Sequence, residues 1–490
     1  METKINTDIT IVGGGVMSLT LAALISEIYP KHKILLVEKL NRCGYESSFG
    51  TNNAGTGHAG YCELNYTPQD DDGHIDIRKA VEINEMFESS LQFWSYLNEK
   101  HNSFNINKFI KKTPHISFVW GEKDVKFLKK RYSELIKHPL FEGIQYTEDP
   151  KVIGNWAPLL IKGRNKNQKI AATKISHGTD IDFGELTNQL LKILKKNGNF
   201  NFFLKSNVTN IKSMGNNSYK VNIHKDLDGI SEIVFSKKIF IGAGGMSINL
   251  LQNLNIKEIK GYAGFPINGE WLVCHNREVI KEHRSKVYSQ AFPNAPSMSI
   301  PHLDLRIIDG KELLLFGPFA SFTTKFLKYG SYLDFFRSIK ANNLLSLVAV
   351  VWKNISLLKY LIKQTLMFHR IKMGHLRKFY PEANSKDWSA LDAGKRVQII
   401  KKTNGNVAKL EFGTEIIYTP GNTLAGLIGA SPGASTSCHS MINVLINIFD
   451  DPDLPKKINK IVPGYNVKLN SNPKALIRLR SSVYKKLKLV

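Results

Sequence analysis

Short apolar runs that end in glycine mark this chain at its start, middle and end. Residues 9–12 (ITIV) have the look of a buried strand and run directly into Gly13-Gly14-Gly15. Val16, Leu19, Leu24 and Ile28 then recur at helical spacing, and residues 34–37 (ILLV) predict a second strand closed by Glu38. Residues 78–99 predict a long helix with Val81, Ile83, Met86, Phe87, Leu91 and Trp94 at its apolar positions. A strand at 116–120, a basic helix at 125–137, a helix at 183–196 and strands at 202–208 and 219–223 follow. Residues 233–245 (IVFSKKIFIGAGG) repeat the strand-to-glycine pattern and lead into a helix from Met246. Residues 424–436 (LAGLIGASPGAST) do so a third time, ahead of a helix that reaches Phe449. No internal repeat interrupts this alternation.

Two segments have a different pattern. Residues 344–352 (LLSLVAVVW) are apolar, with Lys353, Lys359 and Lys363 after them. The run is too short to span a bilayer, which takes about 20 residues. It reads as a core helix, with a helix dipping into a membrane interface as the alternative. Residues 474–490 (KALIRLRSSVYKKLKLV) hold basic residues and no acidic one, interleaved with Leu, Ile, Val and Tyr. That composition predicts a basic amphipathic tail suited to an anionic leaflet, or else a solvated end.

The chain has 490 residues, 42% of them hydrophobic, which is more than one typical domain and predicts two interleaved ones. No basic region with a cleavage site precedes the first apolar run, so no leader is expected. Cys43, Cys62, Cys274 and Cys438 lie far apart, which predicts neither a disulfide framework nor a zinc site and fits a reducing cytoplasm. The net charge of +25 admits nucleic acid, an anionic membrane or an acidic substrate as partner. The basic residues are dispersed and lack a stripe of stacking aromatics, so nucleic acid is not expected.

The first turn carries candidate chemistry. Gly13, Gly15 and Ser18 spell G-x-G-x-x-S between a strand and a helix, and Glu38 follows about 20 residues on. Gly13 allows the tight turn and Gly15 lets the backbone approach a pyrophosphate at the helix N-terminus. Ser18 replaces the usual third glycine, and Glu38 suits a ribose. The run at 46–58 (ESSFGTNNAGTGH) is small and polar, and it falls where the far end of a long cofactor should lie. Ser47, Ser48 and Asn52 are its candidate cofactor contacts. Val208, after a strand, is placed near adenine. Gly244 belongs to the central turn, and Gly429, Ser431, Pro432, Gly433, Ala434 and Ser435 to the last one. Three separate glycine turns suit a flavin, FAD, wrapped by a discontinuous domain better than a nicotinamide dinucleotide.

The residues also carry a resemblance. Glu46-Ser47-Ser48, Asn52 to His58 (NNAGTGH) and Cys62 to Pro68 (CELNYTP) resemble the N-terminal signature of the malate:quinone oxidoreductase family. Ser299 to Asp304 (SIPHLD) with Arg306, Leu315-Phe316-Gly317-Pro318 and Gly429 to Thr436 (GASPGAST) are similar too, so the likeness runs from about Asp8 to the helix after Thr436. The resemblance implies an FAD-dependent enzyme, peripheral to the cytoplasmic side of the cell membrane, that oxidises (S)-malate and reduces a membrane quinone. The alternative is a related flavin oxidase of another hydroxy or amino acid that uses oxygen, from which the NNAGTGH and CELNYTP blocks separate it. The implied fold is mixed α/β. A discontinuous Rossmann-like FAD domain of the glutathione-reductase or amino-acid-oxidase type (1–75, 175–255 and 405–450) is interleaved with an antiparallel-sheet substrate and quinone domain (76–174 and 256–404), and the basic tail (470–490) follows. The tail and the Lys-rich stretch at 321–370 depart from the family pattern.

Oxidising a 2-hydroxy acid takes a base for the hydroxyl proton, a hydride path and cations for the carboxylates. Histidine suits the base because its pKa lies near working pH. On a strand, His302, Asp304 and Arg306 point to one face. His302 is then the expected base, with Asp304 fixing its tautomer. Arg306 is expected on a carboxylate. His58 is a second catalytic candidate that contacts flavin or substrate, and Asn53 and Thr56 are candidate substrate contacts. A structural polar cluster at a sheet edge is the plainer reading of 302–306.

Overall fold

The computed structural model describes residues 4–215, 218–227, 229–291, 300–402, 408–429, 433–467 and 469–489. Two large sheets organise them. The first has eight strands, with Thr414–Tyr418, Leu424–Gly429, Ser231–Ile241, Lys4–Val12, Ile34–Val37 and Phe200–Phe203 in spatial order. Ser206–Ser213 and Tyr219–Lys225 form an antiparallel flap on Ser231–Ile241. Ile34–Val37 is buried along its whole length, as its unbroken apolar run requires.

Lys4–Val12, Ser231–Ile241 and Leu424–Gly429 are adjacent and parallel. Each is followed by a glycine turn, so all three turns leave the same edge of the sheet and converge there. This is the crevice outside the carboxyl ends of parallel strands where such sheets bind ligands. Helix Val16–Ile28 packs against helices Phe183–Leu194 and Ser437–Ile448 over one face. Ser18 takes the place of the third glycine by lying buried under Gly242, so close that a side chain at 242 would strike its hydroxyl. The strand expected at 202–208 is two strands, Phe200–Phe203 and Ser206–Ser213. Lys205, with φ of +50°, breaks the run between them.

The second sheet has nine strands in the order Ala408–Glu411, Trp388–Lys402, Ala263–Cys274, Lys311–Phe322, His302–Ile308, Lys286–Tyr288, His115–Trp120, Ile170–Ile175 and Gln145–Thr147. All its pairings are antiparallel except that of Lys286–Tyr288 with His115–Trp120. Ala408–Glu411 belongs here, so this sheet extends past the boundary expected at 405. A small pair, Ile110–Lys112 with Thr179–Ile181, packs against strand His302–Ile308, and Thr56 bridges to Asp180 of that pair.

The two unusual segments differ in how far they are covered. Helix Pro473–Lys486 has its apolar face covered. It packs on helix Arg78–Lys100 and buries Leu476, Val483 and Tyr484. Arg480 Nε lies 2.6 Å from Glu88 Oε1, and the same oxygen accepts the Tyr484 hydroxyl at 3.2 Å. The 344–352 run is core on one face only. Helices Leu344–Lys353 and Ile355–Thr365 meet at 78°. Leu347, Val350 and Leu361 pack against Phe265, Ile267 and Ile400, while Leu345 (79% exposed) and Trp352 (81% exposed) face outward. Among the described residues no single helix is long and apolar enough to cross a membrane.

Candidate active site

The converging turns enclose a cavity of about 950 Å³, at the upper end of the range for small-molecule and cofactor sites. Gly13 and Gly15 line it, with Glu38 and Val208 toward one end and Gly244 at the central turn. Gly13 needs its glycine, because φ is +95° and a Cβ would lie 2.5 Å from the Gly242 carbonyl. Ser47, Ser48 and Asn52 line the cavity from the 46–58 loop, and Gly429, Gly433 and Ala434 from the last turn. Ser435 is buried behind that turn. Ser299, Ser431 and Pro432 lie outside the described residues.

The Glu38 carboxylate accepts the Gly14 and Leu40 amides. Burial nevertheless pushes its pKa up against the pull of those two hydrogen bonds. Ser48 Oγ accepts the Val16 amide at 3.0 Å and so caps the helix whose N-terminus faces the cavity. A cavity lined by three glycine turns, a helix N-terminus and a carboxylate fits a dinucleotide-type cofactor such as FAD.

The loop holds its own shape. Asn53 Nδ2 donates to the Ser47 and Phe49 carbonyls at 2.9 Å each, and Asn53 Oδ1 accepts the Gly55 amide at 2.9 Å. Asn52 Nδ2 donates to the Glu46 carbonyl at 2.7 Å, and Asn52 Oδ1 accepts Lys328 Nζ at 3.0 Å. Both amides are engaged inside the protein, so the Asn53 side chain ties the loop at the point where it lines the crevice. Thr56 Oγ1 lies 2.7 Å from the Tyr288 hydroxyl, and it too is buried.

Strand His302–Ile308 does put His302, Asp304 and Arg306 on one face, and all three are buried. His302 Nδ1 is 2.8 Å from Asp304 Oδ2, and Tyr288 stacks on the imidazole with ring centres 4.3 Å apart. Burial lowers the His302 pKa against the pull of Asp304, so the imidazole is neutral at ordinary pH. Burial alone would raise the carboxyl of Asp304, but the charges of Lys286 and Arg306 and the hydrogen bond of His302 hold it at about 2. His58 Nδ1 pairs with Glu63, a second imidazole–carboxylate unit. There the His58 charge overrides burial and holds Glu63 at about 2.

Arg306 does not have the role expected from the sequence. Its Nε is 2.8 Å from Asp180 Oδ1, and its terminal nitrogens donate to the carbonyls of Asn53 (2.6 Å) and Ile181 (3.1 Å). A Cβ on Gly55 would collide with the guanidinium, and Gly55 also has φ of +60°. The side chain is fully buried, and all three of its nitrogens face protein groups. It is a strut that pins the 53–55 loop to the sheet.

Several residues here escaped the sequence reading. Lys286 is fully buried, with Nζ 2.8 Å from Asp180 Oδ1, 3.5 Å from Asp304 Oδ2 and donating to the Ala54 carbonyl at 2.9 Å. Strand register alone brings it there, opposite Asp304, as Tyr288 comes opposite His302. Lys286 and Arg306 balance Asp180 and Asp304, so the cluster is neutral around a neutral His302. Arg131, also buried, donates to Thr67 Oγ1 (2.9 Å) and to the carbonyls of Gly60 (3.0 Å) and Tyr61 (3.1 Å), which fixes the loop that carries Glu63 and Tyr66.

A parallel sheet with a cofactor crevice at its carboxyl edge, set against an antiparallel sheet that presents a buried imidazole–carboxylate pair, defines a flavin-dependent oxidoreductase of the amino-acid-oxidase architecture. The α-glycerophosphate oxidase of Mycoplasma pneumoniae, solved with FAD bound, has this fold at a TM-score of 0.59 and 16% identity, over 90% of this chain and 94% of that one. Glycine oxidase of Geobacillus kaustophilus has it at a TM-score of 0.58 and 13% identity, over 91% and 95%. The model of the malate:quinone oxidoreductase family matches residues 5–489, and the chain belongs to that family. Proteins called probable malate:quinone oxidoreductase are 46% identical in Methylobacillus flagellatus, over the whole of both chains. In Blochmanniella floridana the identity is 48%, over 95% of this chain and 90% of the relative.

Proposed function

We propose that the chain oxidises (S)-malate to oxaloacetate and passes the electrons to a membrane quinone, as a peripheral protein on the cytoplasmic side of the cell membrane. Family membership carries the reaction. The observation that carries the mechanism is the His302–Asp304 pair, set beside a loop that runs directly out of the cofactor crevice.

Bound FAD would supply a hydride acceptor for C2 of the substrate and a two-electron donor for quinone. Gly13, Gly15 and the N-terminus of helix Val16–Ile28 would hold its pyrophosphate, and Glu38 its ribose. His302 takes the hydroxyl proton of malate at Nε2, because Nδ1 is committed to Asp304. Asp304 stabilises the imidazolium that forms, as Lys286 and Arg306 keep the carboxylate ionised and in place. His58, held by Glu63, orients the substrate from the loop side. Tyr288 covers the ring of His302 and excludes water from one face.

Membrane attachment is supported by the outer face of the bent helix pair. Leu345, Val348, Trp352, Leu366 and Phe368 are exposed there, with Lys353, Lys359, Lys363 and Arg370 exposed around them. Asp334 is the sole acidic residue between 321 and 370, and it is buried. An apolar face ringed by cations matches the interface of an anionic leaflet. The test of function is anaerobic addition of (S)-malate to the holoenzyme. The flavin should bleach, then recolour rapidly with a quinone analogue and slowly with oxygen. Bleaching by an amino acid but not by malate would overturn the reading.

A further inference from the structure

The cluster around His302 leaves the substrate without an anchor, since Lys286 and Arg306 are both paired. Arg396 is placed differently. It stands on strand Trp388–Lys402 and lines the crevice beside Asn53. It is half-buried and makes no hydrogen bond or ion pair among the described residues. Its neighbour Lys395 is saturated by Asn268 (2.5 Å) and by Asp392 (2.7 Å). The charge of Arg396 is felt by the phenols of Tyr66 and Tyr288. Tyr66 lies edge-on to His58 with ring centres 6.3 Å apart, and Tyr288 stacks on His302. Arg396 thus lines the crevice within electrostatic reach of the two rings that lie against His58 and His302. A half-buried cation with no counter-ion is unfavourable by itself and becomes favourable when an anion arrives. The planar fork of arginine suits a carboxylate held at two points.

We propose that Arg396 is the anion-binding residue of the substrate site and receives one carboxylate of the 2-hydroxy diacid. The identity of the diacid rests on the function proposed above, whereas the site itself rests on the geometry of Arg396.

The test uses the holoenzyme and its Arg396→Ala and Arg396→Lys variants. Arg396 has no protein partner to orphan, so both variants should keep their FAD content and melting temperature. Arg396→Ala should raise the malate KM by roughly 30-fold or more, the scale for truncating one partner of a desolvated charge pair. Arg396→Lys should recover part of that loss. Succinate, which cannot be oxidised at a hydroxyl carbon, should perturb the flavin absorbance of the wild type and fail to do so at the same concentration in Arg396→Ala. An unchanged malate KM and an unchanged succinate titration in Arg396→Ala would overturn the proposal. So would loss of FAD with a normal KM in the fraction that stays loaded, because the residue would then serve the cofactor. If malate leaves the wild-type flavin oxidised, the malate reading fails, and the succinate titration still decides whether Arg396 binds a carboxylate.

Discussion

The two imidazole–carboxylate pairs of the site are alike in composition and unlike in how they are held. His302 and Asp304 stand two residues apart on a strand inside the nine-stranded sheet. Their contact is dictated by strand periodicity, and Asp304 is backed by Lys286 and, through Asp180, by Arg306. His58 and Glu63 stand five residues apart on irregular backbone, where Arg131 ties down the chain that follows His58. The His58 side chain keeps 18% of its surface exposed against 6% for His302. One pair is fixed by a sheet and a closed charge balance, the other by a loop. A proton acceptor needs a fixed tautomer and a fixed position, and the first pair supplies both. The second sits on the chain that follows the cofactor contacts and suits a positioning role.

Substitutions can separate the pairs. His302→Gln should slow flavin reduction by malate by about 10²- to 10⁴-fold, the usual contribution of a general base, with FAD content unchanged. Asp304→Asn should cost about 10- to 100-fold, because the tautomer of His302 is then unconstrained. His58→Gln should cost about tenfold or less in the rate of reduction, since the proposed route takes no proton through it. Rapid-mixing spectroscopy of the flavin band reads all three, and a larger effect for His58→Gln than for His302→Gln would invert the assignment. The smallest chemical effect belongs to the surface. Replacing Leu345, Val348 and Trp352 by Ser should leave flavin reduction unchanged and lower co-sedimentation with anionic vesicles tenfold or more, as each buried apolar side chain contributes about 1.5–3 kcal/mol. Undiminished sedimentation would place the membrane contact elsewhere.

Local pattern was enough for much of this. The βαβ unit and the three glycine turns are written in neighbouring residues, and the facing of His302, Asp304 and Arg306 follows from a period of two. What the local pattern does not contain is the partner across the fold. Asp180 occupies Arg306 from a separate short strand, and Lys286 meets Asp304 through strand register. Neither contact leaves a mark in the sequence around Arg306, and so it read as a free carboxylate binder. Arg396, which has no partner among the described residues, stands in a strand with no motif about it. The two amphipathic segments make the same point. Both have an apolar face and basic residues, and the pattern does not say what covers the face. Helix Arg78–Lys100 covers that of Pro473–Lys486, while the outer face of Leu344–Lys353 is left to solvent.

The most direct test of the account is the pH dependence of kcat/KM for malate in the wild type, His302→Gln and His58→Gln. His302 accepts a proton only when neutral, and burial depresses its pKa below the ordinary imidazole value. Activity should therefore fall as pH drops through that lowered value. This acid limb should persist in His58→Gln and vanish in His302→Gln. An acid limb that survives in His302→Gln and disappears in His58→Gln would contradict the account.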